Sequence, residues 1–173
     1  MDQALALQFD IQMVWQILLL VMTGVMAGIY YAFSVFVMRA FAKLDGVQGA
    51  KAMGMINRVI VQTGFLPLFF VSSFAHLALL FWCLWQGSIW ESWPQVSASL
   101  MYLAGMFWVT VNGNVPLNNA LEQSLASNDA TSIHRQWDEY LRKWTRYNHM
   151  RTLSCILSAG LLAYGLSGYE AWR

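Results

Sequence analysis

The segments NGNVPLNN, residues 112–119, and WDEYLRKWTRYNHMR, residues 137–151, decide how this chain folds. The first follows an apolar run, and the second ends where the chain becomes apolar again. Asn114 and Asn118 are four residues apart and share one face of a helix. Spacings of seven, four and three place a second set on one stripe: Trp137, Trp144, Asn148 and Arg151. We expect the two stripes to face each other and to form a polar pocket at one end of a helical bundle.

The composition is that of a membrane protein. The 173 residues are 58% hydrophobic and 11% charged, with a mean hydropathy of +0.45, whereas soluble domains are about 45–50% apolar and about 25% charged. The net charge is +1, and the basic residues fall in two short segments. We therefore expect one domain, residues 1–173, that contacts membrane lipid and has no nucleic-acid partner.

Four apolar stretches have the length of about 20 residues that crosses a hydrocarbon core of about 30 Å. They cover residues 14–37, 59–84, 97–115 and 150–168. The last is preceded from residue 133 by a segment without Gly or Pro, which predicts one helix of about 35 residues that begins in water. The predicted fold is all-α, an up-down bundle of four transmembrane helices whose fourth helix extends into the cytoplasm.

The linkers between these stretches differ in charge. The second linker, residues 85–96, contains no Lys or Arg. The basic residues lie in the first and third linkers: Arg39, Lys43, Lys51, Arg58, Arg135, Arg142, Lys143 and Arg146. The positive-inside rule therefore predicts a multi-pass protein of the cell membrane with both termini on the non-cytoplasmic side.

Two prolines predict irregular helices. Pro67 removes the backbone hydrogen bond to Thr63, so we expect the second span to bend. Pro116 cannot bond to the carbonyl of Asn112, so the third span should kink or stop there. The asparagines of residues 112–119 then serve either as helix caps or as donors to an oxygen of a bound molecule.

Small residues form a seam on the first span at Gly24, Gly28 and Ala32. Such a seam lets another backbone approach closely, either within the bundle or in a homo-oligomer. The two cysteines, Cys83 and Cys155, lie in opposite halves of the predicted bilayer, so we expect two free thiols.

Polar residues also occur inside the first two spans. Gln62, Ser73 and His76 share one helical face. His76 is either functional or a neutral side chain that bonds to a serine or a carbonyl. Three residues near the cytoplasmic end of the first span are further candidates for the pocket lining: Tyr30, Tyr31 and Ser34.

Arg151 lies just inside the fourth span and allows two interpretations. It reaches the interface or a phosphate headgroup, or it faces the pocket and, with Asn148, binds an oxyanion or a polarised carbonyl. The aromatic stripe of Trp137 and Trp144 is likewise either packing or a ligand surface.

Familiar catalytic motifs are missing from the sequence. It contains no H-E-x-x-H, C-x-x-C, G-x-S-x-G or phosphate-binding loop, and the predicted spans contain no acidic residue for a metal. The three histidines lie at different predicted depths. By elimination we expect no metal and no cofactor, with either cofactor-free chemistry or no reaction.

Three features resemble the small four-helix membrane proteins related to fungal anthrone oxygenases. They are the Gly24/Gly28 seam, the N-x-P-L-N element at residues 114–118, and the W-x6-W-x3-N-H-x-R-T element at residues 137–152. The resemblance implies an enzyme that oxidises an activated methylene of an aromatic polyketide to a ketone with dioxygen. It also implies roles for residues: His149 as base, Asn114, Asn118, Asn148 and Arg151 as donors, and Trp137 and Trp144 as stacking surfaces. Tyr31 and Gln62 complete the candidate substrate-binding set.

Two other classes stay open. A non-catalytic protein could bind a lipid, a quinone or a partner helix at the same pocket. A transporter is less well supported, because the third span offers no charged path.

Overall fold

The computed structural model describes residues 3–87 and 89–170, with side chains described within residues 11–87 and 89–168. This part of the chain is all-helical, and four of its helices are long and apolar enough to cross a membrane. These candidate spans are Ile11–Phe41, Phe65–Trp85, Trp93–Ala126 and Ala130–Gly168. The predicted all-α membrane fold is confirmed at this level.

Seven α-helical elements make up the spans and the linkers: α1 (Gln3–Ala32), α2 (Met38–Phe41), α3 (Gly46–Ile60), α4 (Phe65–Trp85), α5 (Trp93–Tyr102), α6 (Val115–Ala126) and α7 (Ala130–Glu170). A π-helical turn at Phe33–Val37 joins α1 to α2, and two more, at Leu103–Trp108 and Thr110–Asn114, join α5 to α6. Both α1 and α5 pack against α7 and also against α4. Each of these four helices therefore has two of the others as neighbours.

The fourth span is one continuous helix, as predicted, and begins at Ala130. The Asp129 carboxylate starts it by accepting from the backbone N–H of Thr131 at 3.1 Å and of Ser132 at 3.2 Å. Its 41 residues extend for about 60 Å, twice the thickness of a hydrocarbon core of about 30 Å. The helix is therefore long enough to span a bilayer and project beyond it.

The third span continues through Pro116 to Ala126, so the predicted stop is wrong. The reason is the π-helical turn Thr110–Asn114, where the N–H of Val115 donates to the carbonyl of Thr110, five residues earlier. Pro116 follows in the first turn of α6, where a missing N–H is tolerated.

The second span begins at Phe65 rather than at residue 59, because residues 59 and 60 belong to α3. A turn separates the two helices, and its hydrogen bonds run from Gln62 N to Val59 O and from Thr63 N to Ile60 O. Pro67 is thus the third residue of α4, where the backbone N–H has no partner within the helix. Within α4 there is therefore no helical bond to Thr63 for Pro67 to break, so the reason given for a bend does not apply.

The first linker contains a helix, α3, that lies against α6 and α7. Asp45 caps it by accepting from Val47 N at 3.0 Å. A Cβ added at Gly49 would lie 2.8 Å from the Trp137 ring, so only glycine allows this approach. An ion pair between Arg58 and Glu122 joins α3 to α6. These contacts hold α3 over the basic end of the spans.

The seam on α1 faces outward. Gly24 and Gly28 are exposed, and a Cβ added at either would meet nothing within 4 Å. Packing within the bundle, one of the two interpretations of this seam, is therefore wrong. A homo-oligomer contact through the same surface stays a prediction.

His76 is fully buried and lies between two hydroxyls, with Nε2 3.0 Å from Thr23 Oγ1 and Nδ1 3.3 Å from Ser99 Oγ. Its ring stacks on Tyr102 at 4.1 Å between centroids. The structural interpretation of His76 is thus confirmed. The predicted free thiols are also confirmed, since Cys83 and Cys155 are both buried and unbridged.

Candidate functional site

A cavity of about 230 Å³ lies at the basic end of the spans, close to the size of the smaller ligand pockets, roughly 300 Å³. The C-terminal half of α1, the helices α3, α4 and α7, and the third span all contribute to it. Most of the lining is apolar. Its polar or amphipathic members are Tyr30, Asn57, Thr110, Asn114, Asn118, Trp144 and Arg151.

Arg151 is the only charged residue in this lining and is 4% exposed. Its Cζ lies 4.2 Å from the centroid of the Tyr30 ring and 5.0 Å from that of Trp144. Nη2 donates to Asn148 Oδ1 at 2.7 Å, and Nη1 donates to Thr110 Oγ1 at 3.4 Å. Two aromatic faces and two neutral acceptors therefore hold the guanidinium.

Among the side chains that the structure describes, no carboxylate pairs with this charge. Two ion pairs are present within this part of the chain, Arg58 with Glu122 and Lys143 with Glu139, and His134 Nε2 lies 3.8 Å from Asp45 Oδ2; all of these side chains are substantially exposed. A buried cation without a counter-ion is electrostatically unfavourable, and an arriving anion would remove that penalty. The site is therefore suited to a ligand that carries or develops negative charge.

Several buried polar atoms of the lining have no hydrogen-bond partner within the described residues. They are Asn57 Nδ2, Asn114 Oδ1, Trp144 Nε1 and Arg151 Nε. Buried polar groups are rarely left unpaired in folded proteins, and a bound molecule is one established way to pair them. Three of these four atoms are N–H donors, which suits a ligand that presents oxygen.

Asn148 contacts Arg151 but does not itself line the cavity, and both polar atoms of its side chain have hydrogen-bond partners. Its Nδ2 donates to the carbonyl of Tyr30 at 2.8 Å and to Ser34 Oγ at 2.7 Å, while Oδ1 accepts from Arg151. Thr152 completes the cluster, because its Oγ1 lies 2.9 Å from Ser34 Oγ. Asn148 thus fixes the position of Arg151 relative to α1.

The π-helical turns place several of these groups. Ser34 lies in the turn Phe33–Val37, and Thr110 and Asn114 lie in the turn Thr110–Asn114. A π-helical turn inserts a residue into the helical register and is frequent at functional sites. Here the turns bring short polar side chains of two spans toward α7.

The two predicted stripes do face each other. Asn114 Nδ2 donates to the backbone carbonyl of Trp144 at 3.3 Å, and Tyr140 Oη donates to Asn118 Oδ1 at 2.7 Å. Asn114, Asn118, Trp144 and Arg151 all line the cavity. The juxtaposition expected from the sequence is therefore present.

Four predicted site residues lie elsewhere. Trp137 is buried against α3 and stacks on Tyr140 at 5.8 Å, so packing explains it. His149, Tyr31 and Gln62 are exposed and do not line the cavity. His149 follows the inward Asn148 by one residue, a rotation of about 100° on a helix, which turns it outward. Gln62 belongs to the turn before α4 rather than to a span.

Tyr30, not Tyr31, is the tyrosine of the site. The signal for this choice is a seven-residue spacing of polar residues within the otherwise apolar residues 13–30 of α1: Gln16, Thr23 and Tyr30, all buried. Polar side chains in a membrane helix face its protein neighbours, so this spacing marks the inner face. Thr110 and Asn57 carried no comparable signal.

Within the described residues, no three His, Cys, Asp or Glu side chains lie close enough together to hold a metal ion. No curated protein and no solved structure shows significant similarity to the chain. The family model described as anthrone oxygenase matches residues 16–161. That match includes all four candidate spans in whole or in large part, together with every residue of the cavity. The chain therefore belongs to the anthrone oxygenase family.

Proposed function

We propose that this protein is a cofactor-independent oxygenase that converts an activated methylene of a hydrophobic aromatic substrate to a ketone. The observation that carries the proposal is the buried Arg151, which lies in an apolar cavity without a carboxylate partner. Such a site favours a substrate that becomes an anion. An anthrone does so, because loss of a methylene proton gives an aromatic enolate.

The chemistry balances without a further reductant. Deprotonation gives the enolate, and one electron passes from it to dioxygen. The resulting substrate radical and superoxide form a carbon–oxygen bond, and protonation gives a hydroperoxide. Loss of the remaining hydrogen on that carbon, together with hydroxide, gives the ketone and one water. One methylene and one dioxygen are consumed for each ketone and water formed.

Arg151 has the central role in this proposal, since a cation favours the enolate over the neutral substrate. Trp144 Nε1 offers a second donor to the substrate oxygen, and the face of Tyr30 restrains the guanidinium. No His or acidic side chain lines the cavity. The proposal therefore does not use His149 as a base, and it passes the proton to water.

The orientation of the chain is also a proposal. The basic residues of the first and third linkers are all exposed and lie at the cavity end, and the only ionisable residue described between Gln86 and Ser92 is Glu91. This distribution supports a cytoplasmic position for α3 and the cavity, with both termini outside.

The test is oxidation of anthrone by the protein in lipid nanodiscs, followed through dioxygen consumption and the absorbance of anthraquinone. We expect Arg151→Gln to lower kcat/KM by about ten- to a hundredfold, since hydrogen bonds to charged groups contribute about 1.5–3 kcal/mol. Arg151→Lys should retain part of the rate because it keeps the charge but loses the planar fork. The matched control is Arg146→Gln, which changes an exposed arginine on the same helix.

A thermal unfolding midpoint for each variant separates lost activity from lost structure. If folded wild type oxidises anthrone no faster than empty nanodiscs do, the oxygenase proposal is wrong. Binding of a quinone or a lipid without turnover then becomes the better account, and mass spectrometry of molecules that co-purify with the protein would identify the ligand.

A further inference from the structure

The opening of the cavity is apolar, whereas its interior contains polar side chains. Four of its lining residues are exposed, by 41% to 51%, and all four are apolar: Val61, Phe70, Val111 and Val115. Every polar residue of the lining is buried or half-buried. A ligand therefore crosses an apolar rim before it reaches Asn114 or Arg151.

This rim lies where two spans separate. The packing of α4 against the third span is extensive along α5, sparser at Leu103–Trp108, and has largely ended by Thr110–Asn114. Val111 belongs to that last turn, and Phe70 lies in the second turn of α4. Both residues are within candidate spans, a position that suits a gap facing the hydrocarbon of a bilayer.

The water-facing side of the cavity is covered instead. The helix α3 lies over it and contributes Met53, Ile56 and Asn57 to the lining. The Arg58–Glu122 ion pair joins α3 to α6, and Trp137 packs on Gly49. A direct path from water would have to displace these contacts.

We propose that the ligand enters this cavity sideways from the bilayer, through the gap between α4 and the third span. The ligand class is a membrane-partitioned aromatic compound with one acidic oxygen, whose apolar rings cross the rim and whose oxygen reaches Arg151. The inference deepens the proposed function, because it concerns access to the same cavity. It holds for binding whether or not turnover follows.

The test uses 2-hydroxyanthraquinone, a fused-ring acid that cannot undergo methylene oxidation, with binding to nanodisc-embedded protein followed by stopped-flow tryptophan quenching. We expect Val111→Trp to slow association by about tenfold or more and to slow dissociation similarly, so that Kd stays nearly constant. A substitution at the rim raises the barrier that the ligand crosses on entry and on exit. It does not change the contacts that the bound ligand makes with Arg151. The matched control is Val25→Trp, which changes an exposed valine on α1 that does not line the cavity.

Unchanged association and dissociation rates in Val111→Trp and in a second rim variant, Val115→Trp, would overturn the inference. Wild type provides an independent measurement if either variant fails to fold. At fixed total ligand, its association rate should change with the lipid-to-protein ratio as the membrane concentration of the ligand changes. A rate that follows the aqueous concentration alone, or no binding by wild type, would also overturn it. Neither result depends on anthrone oxidation, so failure of the oxygenase proposal remains distinguishable.

Discussion

At the scale of single residues, the pairing of Arg151 with Asn148 determines what the cavity can bind. An aspartate at position 148 would place a carboxylate on the guanidinium and neutralise it. The amide oxygen of Asn148 holds Nη2 at 2.7 Å without adding a charge. The guanidinium is therefore positioned while its charge remains available to a ligand.

We accordingly expect Asn148→Asp to lower the affinity for an anionic ligand. The variant also loses the two donations from Nδ2, to Tyr30 O and to Ser34 Oγ, so a thermal unfolding midpoint first establishes that it is folded. Binding of 2-hydroxyanthraquinone should weaken by about ten- to a hundredfold, because the new carboxylate competes for Arg151. Binding of neutral anthraquinone should change little. Equilibrium titration of both ligands measures the difference, which a merely structural role of Asn148 would not produce.

Asn119→Asp is the control, since Asn119 is exposed on α6 at the same end of the protein. Its effect on stability should be within about 0.5 kcal/mol, and its effect on both affinities should be small. Equal weakening of the acidic and the neutral ligand by Asn148→Asp would contradict the assigned positioning role.

Residue spacing predicts some of the residues of this site. The residues that it does not predict are missed for a physical reason. Asn114, Asn148 and Arg151 were found because spacings of three and four residues keep a stripe on one helical face. His149 is a candidate because of its chemistry, and Tyr31 because it lies near the cytoplasmic end of the first span, although each follows an inward residue by one position. Only the heptad spacing of buried polar residues on α1 separates Tyr30 from Tyr31.

At the scale of helices, the third span and α7 are in very close contact. A Cβ added at Gly105 would lie 2.5 Å from Ser154 Cβ, and one added at Gly113 would lie 3.0 Å from the Tyr147 ring. Gly105 and Gly113 lie in the two π-helical turns of the third span. The close approach therefore accompanies the turns that bring Thr110 and Asn114 to the cavity.

Gly105→Ala should destabilise the protein by about 1–3 kcal/mol, because the added methyl group overlaps Ser154 and forces the helices apart. Thermal or denaturant unfolding in detergent measures this change. The control Gly160→Ala, on the exposed face of α7, should be neutral or stabilising by up to about 1 kcal/mol, since alanine favours a helix.

The double variant Gly105→Ala/Ser154→Gly tests the mechanism of that loss. The double variant adds a methyl group at position 105 and removes the side chain at position 154 that this group would overlap. Most of the lost stability should therefore return. If the double variant is no more stable than Gly105→Ala alone, overlap with Ser154 is not the cause.

The helix boundaries were less predictable than the helices themselves. Hydropathy joins residues 59 and 60 to the second span, because α3 ends in two apolar residues: Val59, which is exposed, and Ile60, which lines the cavity. The π-helical turns are equally invisible to hydropathy, since they change the hydrogen-bond register without changing composition. The length of α7, in contrast, followed directly from the absence of Gly and Pro before Gly160.

At the scale of the whole molecule, the basic residues that the structure describes are concentrated at one end. The exposed basic residues lie on α2, α3 and the first half of α7 and in the segment after α2, whereas the linker that follows α4 carries none. The cavity lies at this basic end of the spans. Since the positive-inside rule places such an end in the cytoplasm, the sidedness of the cavity can be measured through the linkers.

We expect a cysteine introduced as Gln86→Cys to react with a membrane-impermeant maleimide on intact spheroplasts, and Lys51→Cys to react only after the membrane is opened. Both positions are exposed, on opposite ends of the spans. The native Cys83 and Cys155 are buried, so the unmodified protein serves as the unlabelled control. The reverse labelling pattern would place Arg151 and its cavity near the outer surface, and the substrate pool would then have to be sought in the outer leaflet.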